Sequence, residues 1–156
     1  MTYSHDTAIR VLLADDHAVV RDGICMRLGR EPGIRIVGEA SNGQQAVEQA
    51  LQLCPDIVLM DISMPVMNGL QATEQLRARN PNIKVLILTM HDKKEYVLNI
   101  MKSGAQGYLL KDITAQEMIS GIKRVHSGED YYCASVLKLL ADKSIESKSC
   151  DAHPAL

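Results

Sequence analysis

Five short apolar runs recur along the chain at intervals of roughly 20 to 30 residues: Ile9 to Ala14, Ile34 to Ala40, Asp56 to Met60, Ile83 to Leu88 and Gly107 to Leu110. Each predicts a buried strand. Between the runs the apolar positions change to helical spacing, as at Val20, Ile24 and Leu28, at Ala46, Val47, Ala50, Leu51 and Cys54, and at Met118, Ile122 and Val125. Thr114 followed by Glu117 has the spacing of a capping box, Asn42 is placed to cap the second helix, and Gly104 and Gly128 stand where helices stop. The predicted order is strand then helix, repeated five times. Strands buried on both faces and alternating with helices imply a parallel sheet with right-handed crossovers, an α/β three-layer sandwich. Beyond it, Cys133, Val136, Leu137 and Leu140 keep i, i+3, i+4, i+7 spacing and predict a short extra helix from about Tyr131 to Ala141. The organisation expected is one domain over residues 7–128, an added helix within 129–141, and a polar, aperiodic linker or tail over 142–156.

Composition narrows the classes. At 156 residues, 46% hydrophobic and 23% charged, the chain has the size of one domain with a full core. A net charge of −2 provides no basic field for nucleic acid or anionic lipid. Cys25, Cys54, Cys133 and Cys150 form no Cys-x-x-Cys pair, which argues against a zinc site or a disulfide framework. The start MTYSHDTAIR lacks the basic, then apolar pattern of a secretion signal, and no run approaches the roughly 18 apolar residues of a membrane span. A soluble, cytoplasmic protein with no membrane partner is expected.

Chemistry enters through the residues just past each strand, because the functional crevice of an open parallel sheet lies beyond the carboxyl ends of its strands. Asp15 and Asp16 come after the first, Asp61 after the third, Thr89 after the fourth and Lys111 after the fifth. Carboxylates, a hydroxyl and an ammonium are thus expected to converge on one edge from separate parts of the sequence. Clustered carboxylates repel unless a cation neutralises them. Mg²⁺ suits a site of hard oxygens that keeps several waters and awaits phosphate oxygens. There an Asp61 carboxylate, already ionised and needing no general base, can attack a phosphorus in line to give an acyl phosphate. Mg²⁺ and Lys111 would offset charge on the transferring oxygens, and Thr89 would donate a hydrogen bond to one of them.

The run Asp61-Ile-Ser-Met-Pro-Val-Met-Asn-Gly69 resembles the phosphorylation loop of response-regulator receivers. Asp15-Asp16, Leu-Thr-Met around Thr89 and Gly-Tyr-Leu-Leu-Lys111-Asp match the family's other motifs in order, over about residues 9 to 128. Any one piece is weak; jointly they are specific. The resemblance implies a flavodoxin-like, CheY-like sheet of order 2-1-3-4-5 with Asp61 as phosphoacceptor. It implies Mg²⁺ held directly by Asp16, Asp61 and the backbone carbonyl of Ser63, with Asp15 acting through water, and the phosphohistidine of a sensor histidine kinase as donor. Tyr108 matches the family's switch aromatic, whose ring turns inward when Thr89 is drawn toward the phosphoryl group. Ser63 and His91 stand two residues beyond Asp61 and Thr89, where side chains tune hydrolysis. Leu12-Leu-Ala-Asp-Asp-His17, Lys111-Asp112 and the stretch from Gly128 to Leu140 look most like the NarL/FixJ subfamily, whose members usually continue into a LuxR-type helix-turn-helix. Asp112 departs from the proline that comes after the lysine in many receivers.

The function this implies is a two-component receiver controlling an output, with transcription reached through a DNA-binding domain beyond this chain and with homodimerisation on phosphorylation. The chain itself is expected to be the front part of a longer regulator, to lack sequence-specific DNA binding, and not to act as an enzyme beyond its own phosphoryl transfer and slow autodephosphorylation. The simpler readings are that Asp15 and Asp16 only cap a helix, that Lys111 is a surface lysine, that Thr89 merely ends a strand and that Tyr108 is packing; only the joint constellation outweighs them. His17, His91 and His126 read as surface residues rather than metal ligands. A flavodoxin-like electron carrier would need a Gly, Ser and Thr-rich loop where this chain has Asp-Asp-His, and an aspartyl phosphatase an acid where it has Ser63. The remaining alternative is a receiver that acts as an interaction module without phosphorylation.

Overall fold

Side chains at alternate positions of a strand point to opposite faces of its sheet, and the central strands here are apolar at both sets of positions. The sheet therefore has two faces to cover, and helices cover both. In the computed structural model, which describes residues 7–90 and 94–132, the strands are β1 (Ile9–Ala14), β2 (Ile34–Ala40), β3 (Ile57–Asp61), β4 (Lys84–Thr89), β5 (Gly107–Leu110) and β6 (Tyr131–Tyr132). The helices between them are α1 (Ala18–Gly29), α2 (Gly43–Leu53), α3 (Gly69–Arg79), α4 (Lys94–Ser103) and α5 (Ala115–His126). All strand pairs are parallel, in the order β2-β1-β3-β4-β5-β6. His91, the continuation of the expected extra helix past Tyr132 and the tail at 142–156 lie outside the described residues.

On one face Leu12, Val58, Met60, Val85 and Ile87 meet Ala46, Val47 and Ala50 of α2, Ala72 and Leu76 of α3, and Val97 and Ile100 of α4. On the other, Val11, Leu13, Ile57, Leu59, Leu86 and Leu88 meet Ile24 and Leu28 of α1 and Met118, Ile122 and Val125 of α5. Each large aliphatic side chain so buried contributes about 1.5–3 kcal/mol relative to exposure.

Local signals fix where the helices begin and end. Asn42 accepts from the Gln45 N–H at 2.8 Å and Thr114 from the Glu117 N–H at 3.1 Å, as their positions predict. The fullest cap is one that apolar periodicity passes over: Asn68 accepts from the Gln71 N–H at 2.9 Å while the Gln71 side chain accepts from the Asn68 N–H at 3.1 Å. Gly104 and Gly128 stop α4 and α5 with φ of +91° and +104°.

One expectation is corrected. The added helix does not begin at Tyr131; Tyr131 and Tyr132 form a sixth, two-residue strand against β5, pairing with Gly107 and Tyr108. The Tyr131 N–H donates to the Gln106 carbonyl at 3.0 Å. Its ring rests on Gly121 of α5, where a Cβ would lie 3.1 Å from two ring carbons, and the Arg124 guanidinium sits 5.9 Å from the ring centroid. The left-handed turn at Gly128 returns the chain to the open edge of β5, whose unpaired backbone groups outweigh the helical periodicity that continues through Leu140.

The loop after β3 is held by its own backbone. The Gly69 N–H donates to Ile62 O at 2.9 Å, Met67 N–H to Pro65 O at 2.7 Å and Gly43 N–H to Met67 O at 2.9 Å. A Cβ on Gly69 would overlap the Asp61 carbonyl oxygen, and one on Gly43 the Met67 carbonyl oxygen. Because the overlap is with backbone, Gly69→Ala is expected to destabilise by about 3 kcal/mol in urea unfolding. Gly23→Ala, in the middle of α1 with nothing within 4 Å of its Cβ position, is expected to stabilise by about 0.8 kcal/mol. A neutral Gly69→Ala would contradict this account of the loop.

Candidate functional site

The chain leaves β1 toward β2 on one side and β3 toward β4 on the other, so the carboxyl ends of β1 and β3 flank the point where strand order reverses. Asp15 and Asp16 come directly after β1. Asp61 and Thr89 are the last residues of β3 and β4, one position earlier than sequence alone suggests, and Lys111 comes directly after β5. Registers of Ala14 with Met60, Asp61 with Leu88 and Thr89 with Leu110 bring the strand ends to one level. The Lys111 N–H donates to the Thr89 carbonyl at 2.9 Å, and the Lys111–Asp112 peptide is trans.

The three carboxylates and the ammonium predicted to converge do so. Lys111 Nζ lies 2.7 Å from Asp15 Oδ2 and 3.2 Å from Asp61 Oδ1, with all three side chains less than a tenth exposed. Asp15 is wholly buried; its Oδ1 accepts from the His17 N–H at 2.9 Å, and its carbonyl accepts from Arg21 Nη1 at 2.6 Å. Arg21 also reaches Glu39 of β2 at 3.2 Å, tying the β1–α1 turn to the sheet. Asp16 is the more open carboxylate, 27% exposed. Thr89 is buried at the rim. Tyr108 is fully buried in the layer that holds Val97, Ile100 and Ala105, so its ring is inward. Ser63 is exposed on the loop two residues past Asp61.

Charge does not balance at this edge. Burial pushes the Asp61 carboxyl above the usual aspartate range; Lys111 opposes this, but the Asp15 and Asp16 charges add to it. Burial pulls the Lys111 ammonium down, yet contact with Asp15 and the Asp61 charge outweigh it and carry it above the usual lysine range. The two shifts are compatible because one ammonium is shared: Lys111 has two carboxylates in contact, whereas Asp61 feels the one ammonium and two further carboxylates.

Oxygens on all three aspartates, Asp15 Oδ2, Asp16 Oδ1 and Asp61 Oδ2, are buried with no hydrogen-bond partner. Lys111 approaches the first as an ion pair without hydrogen-bond geometry. The carboxylates of Asp15, Asp16 and Asp61 and a ring nitrogen of His17 offer donor atoms within 4.8 Å of one another. Buried, undonated carboxylate oxygens at this spacing suit a divalent cation. His17 is a surface residue as expected, its side chain 65% exposed, and its Nδ1 lies 3.0 Å from Asp16 Oδ1 and 3.4 Å from Asp15 Oδ1. Adjacency to Asp16 is the available sequence signal of that approach. Arg21, one helical turn further, carries none.

Residues 11–123 match the family model of the response regulator receiver domain. The chain belongs to that family. This receiver is 40% identical over 127 residues to the transcriptional regulatory protein DegU of Brevibacillus brevis, covering 81% of the chain and 54% of the relative. It is 39% identical over 144 residues to the response regulator UvrY of Escherichia coli, covering 92% of the chain and 66% of the relative. The chain thus spans roughly half to two thirds of the length of these curated relatives. Among solved structures it is similar to a LuxR-family two-component response regulator from Aurantimonas, with TM-score 0.83, 30% identity and coverage of 88% and 99%. It is also similar to the signal receiver domain of NarL from Mycobacterium tuberculosis, with TM-score 0.76, 33% identity and coverage of 78% and 98%. The expected strand order and the resemblance to the NarL and LuxR group both stand. Among the described residues no helix is long and apolar enough to cross a membrane.

The raised Asp61 carboxyl has a consequence for stability. A folded-state pKa above the unfolded one gives a contribution that is complete below the unfolded pKa, near 3.9 for a free aspartate, and is lost as pH rises through the folded value. At neutral pH without divalent cation the ionised Asp61 is therefore a net cost to the fold. Asp61→Asn is expected to melt higher than the native receiver at pH 7, with the gap closing as pH falls toward the ordinary aspartate range. Thermal melts in chelator across that range test it, and a lower Tm for the variant at neutral pH would contradict the assignment.

Proposed function

We propose that this receiver accepts a phosphoryl group on Asp61 from the phosphohistidine of a sensor histidine kinase. The observation that carries the reading is the state of the Asp61 carboxylate: one oxygen is 3.2 Å from Lys111 and the other is buried with no hydrogen-bond partner, beside a second and third carboxylate. An Asp61 oxygen forms the new P–O bond as the P–N bond of the donor breaks, and the electron pair departs with the donor imidazole. Lys111 offsets charge on the transferred oxygens, and Thr89 donates a hydrogen bond to one of them. Asp16, Asp61 and the Ser63 carbonyl would hold Mg²⁺, with Asp15 acting through water, and the ion would supply charge neutralisation at the phosphoryl oxygens. Asp15 also holds Lys111 in place. The chain is no fast catalyst on free substrates; the acyl phosphate is lost slowly by hydrolysis, at a rate tuned by Ser63 and His91.

Thr89 and Tyr108 relay occupancy of the site to the face formed by α4, β5 and α5, favouring a homodimer or contacts with a DNA-binding domain further along the chain. The setting is the cytoplasm. A groove of about 280 Å³ lined by Val19, Val20, Gly23, Arg27, Met90, Lys111 and Asp112 opens beside the lysine. Val19 and Met90 are 84% and 66% exposed there. Its continuity with Lys111 makes it the seat of the donor protein in this reading.

With Mg²⁺ and acetyl phosphate, borohydride trapping and mass spectrometry should find one adduct, on Asp61, and none in Asp61→Asn. Lys111→Ala should label at least tenfold more slowly, since loss of one charge-stabilising group typically costs about 2.7–4 kcal/mol. Val19→Glu should slow transfer from the phosphorylated kinase and leave labelling by acetyl phosphate unchanged. Labelling of Asp61→Asn at the native rate would overturn the phosphoacceptor assignment.

A further inference from the structure

We infer that His17 is a nitrogen ligand of the acidic site, and that the site therefore selects a transition-series divalent cation such as Mn²⁺ over Mg²⁺ more strongly than its oxygens alone would. The inference rests on the reading of the carboxylate cluster as a cation site and deepens it by naming the class of ion.

His17 occupies the N-cap of α1, where Ser, Thr, Asp or Asn would accept from a free backbone N–H. Its backbone is extended, with φ −98° and ψ 108°, and its side chain makes no capping hydrogen bond. The ring turns instead toward the carboxylates, with Nδ1 3.0 Å from Asp16 Oδ1 and 3.4 Å from Asp15 Oδ1. The donor atoms of His17, Asp15, Asp16 and Asp61 lie within 4.8 Å of one another. Two donors on opposite sides of one ion, each at about 2.1–2.3 Å, are about 4.2–4.6 Å apart. Movement of a few tenths of an ångström brings His17 to an ion held by Asp16 and Asp61, with Asp15 still acting through water, and the exposed imidazole is free to supply it. Asp61 Oδ2 gives the independent sign that something is to be bound here: it lies in a residue only 4% exposed and has no hydrogen-bond partner.

The kind of ion is set by the donor types. Mg²⁺ prefers oxygen and sheds water reluctantly, so an imidazole beside the site adds little to its binding. Later divalent ions of the first transition series take imidazole nitrogen readily; Mn²⁺, at the weak end of that series and otherwise suited to oxygen like Mg²⁺, is the most demanding member on which to look for the nitrogen. The competing account is that His17 is only a counter-ion to Asp15 and Asp16. In that case removing it changes the attraction for every divalent cation alike.

The full chain is titrated with Mn²⁺ alone and with Mg²⁺ alone at neutral pH, by calorimetry, and the Mn²⁺-loaded protein is probed by electron spin echo modulation for a directly bound ¹⁴N. The expected result is a ¹⁴N signal in the native protein that disappears in His17→Gln, together with about a tenfold fall in the ratio of Mn²⁺ to Mg²⁺ affinity, the usual scale for losing a group that supports a metal. Absence of the ¹⁴N signal in the native protein, or equal changes in both affinities, overturns the assignment of His17 while leaving the cation site intact. Unchanged Mg²⁺ binding in Asp61→Asn would overturn the cation-site reading itself, and His17 with it.

Discussion

A single ammonium shared among clustered carboxylates governs the architecture of this edge. Among the described residues Lys111 is the cation that touches Asp15 and Asp61 at once. Because each of those groups is less than a tenth exposed, water cannot screen their repulsion, and the remaining negative charge stays concentrated in a small volume. Such an arrangement is costly for a resting fold. It is stable only because the sheet behind it, buried on both faces, contributes far more than the pocket costs.

The supporting structure is arranged to keep those carboxylates from escaping the strain. Arg21 clamps the Asp15 carbonyl to the sheet, and the loop after Asp61 is closed by three short backbone hydrogen bonds across Gly43 and Gly69. Val66 in the same loop has φ +71° and is 76% exposed, a conformation that costs a β-branched residue about 1–3 kcal/mol. The loop holds its shape against a local preference because the backbone contacts on either side of Val66 over-determine it.

Much of this is legible in the sequence, and the reasons are physical. Buried parallel strands are almost wholly apolar, so all five long strands stand out, within a residue at each end, and the polar residues directly after them must sit at the sheet edge. That logic places Asp15, Asp61, Thr89 and Lys111 without any knowledge of their contacts. The illegible features depend on three-dimensional adjacency rather than periodicity. The reciprocal cap of Asn68 and Gln71 carries no apolar signal, the proximity of His17 to the carboxylates depends on one side-chain torsion, and Arg21 looks like any helical surface arginine. Periodicity misleads at Tyr131 and Tyr132 because a helical apolar spacing runs on through Leu140, while the vacant edge of β5 and the space left by Gly121 are invisible in one dimension.

That last seat has a geometric consequence. A helix end frays, and a segment leaving α5 at Ser127 would start from a point that wanders. Here the chain is instead carried across a glycine turn and pinned by Tyr131 between Gln106, Gly121 and Arg124 before it proceeds. Tyr131 and Tyr132 themselves are fixed to the backbone of Gly107 and Tyr108 and run in the same sense as β5, toward the acidic edge. The position of Tyr131 and Tyr132 is thus a coordinate of the sheet itself, so a displacement of β5 would carry these two residues with it.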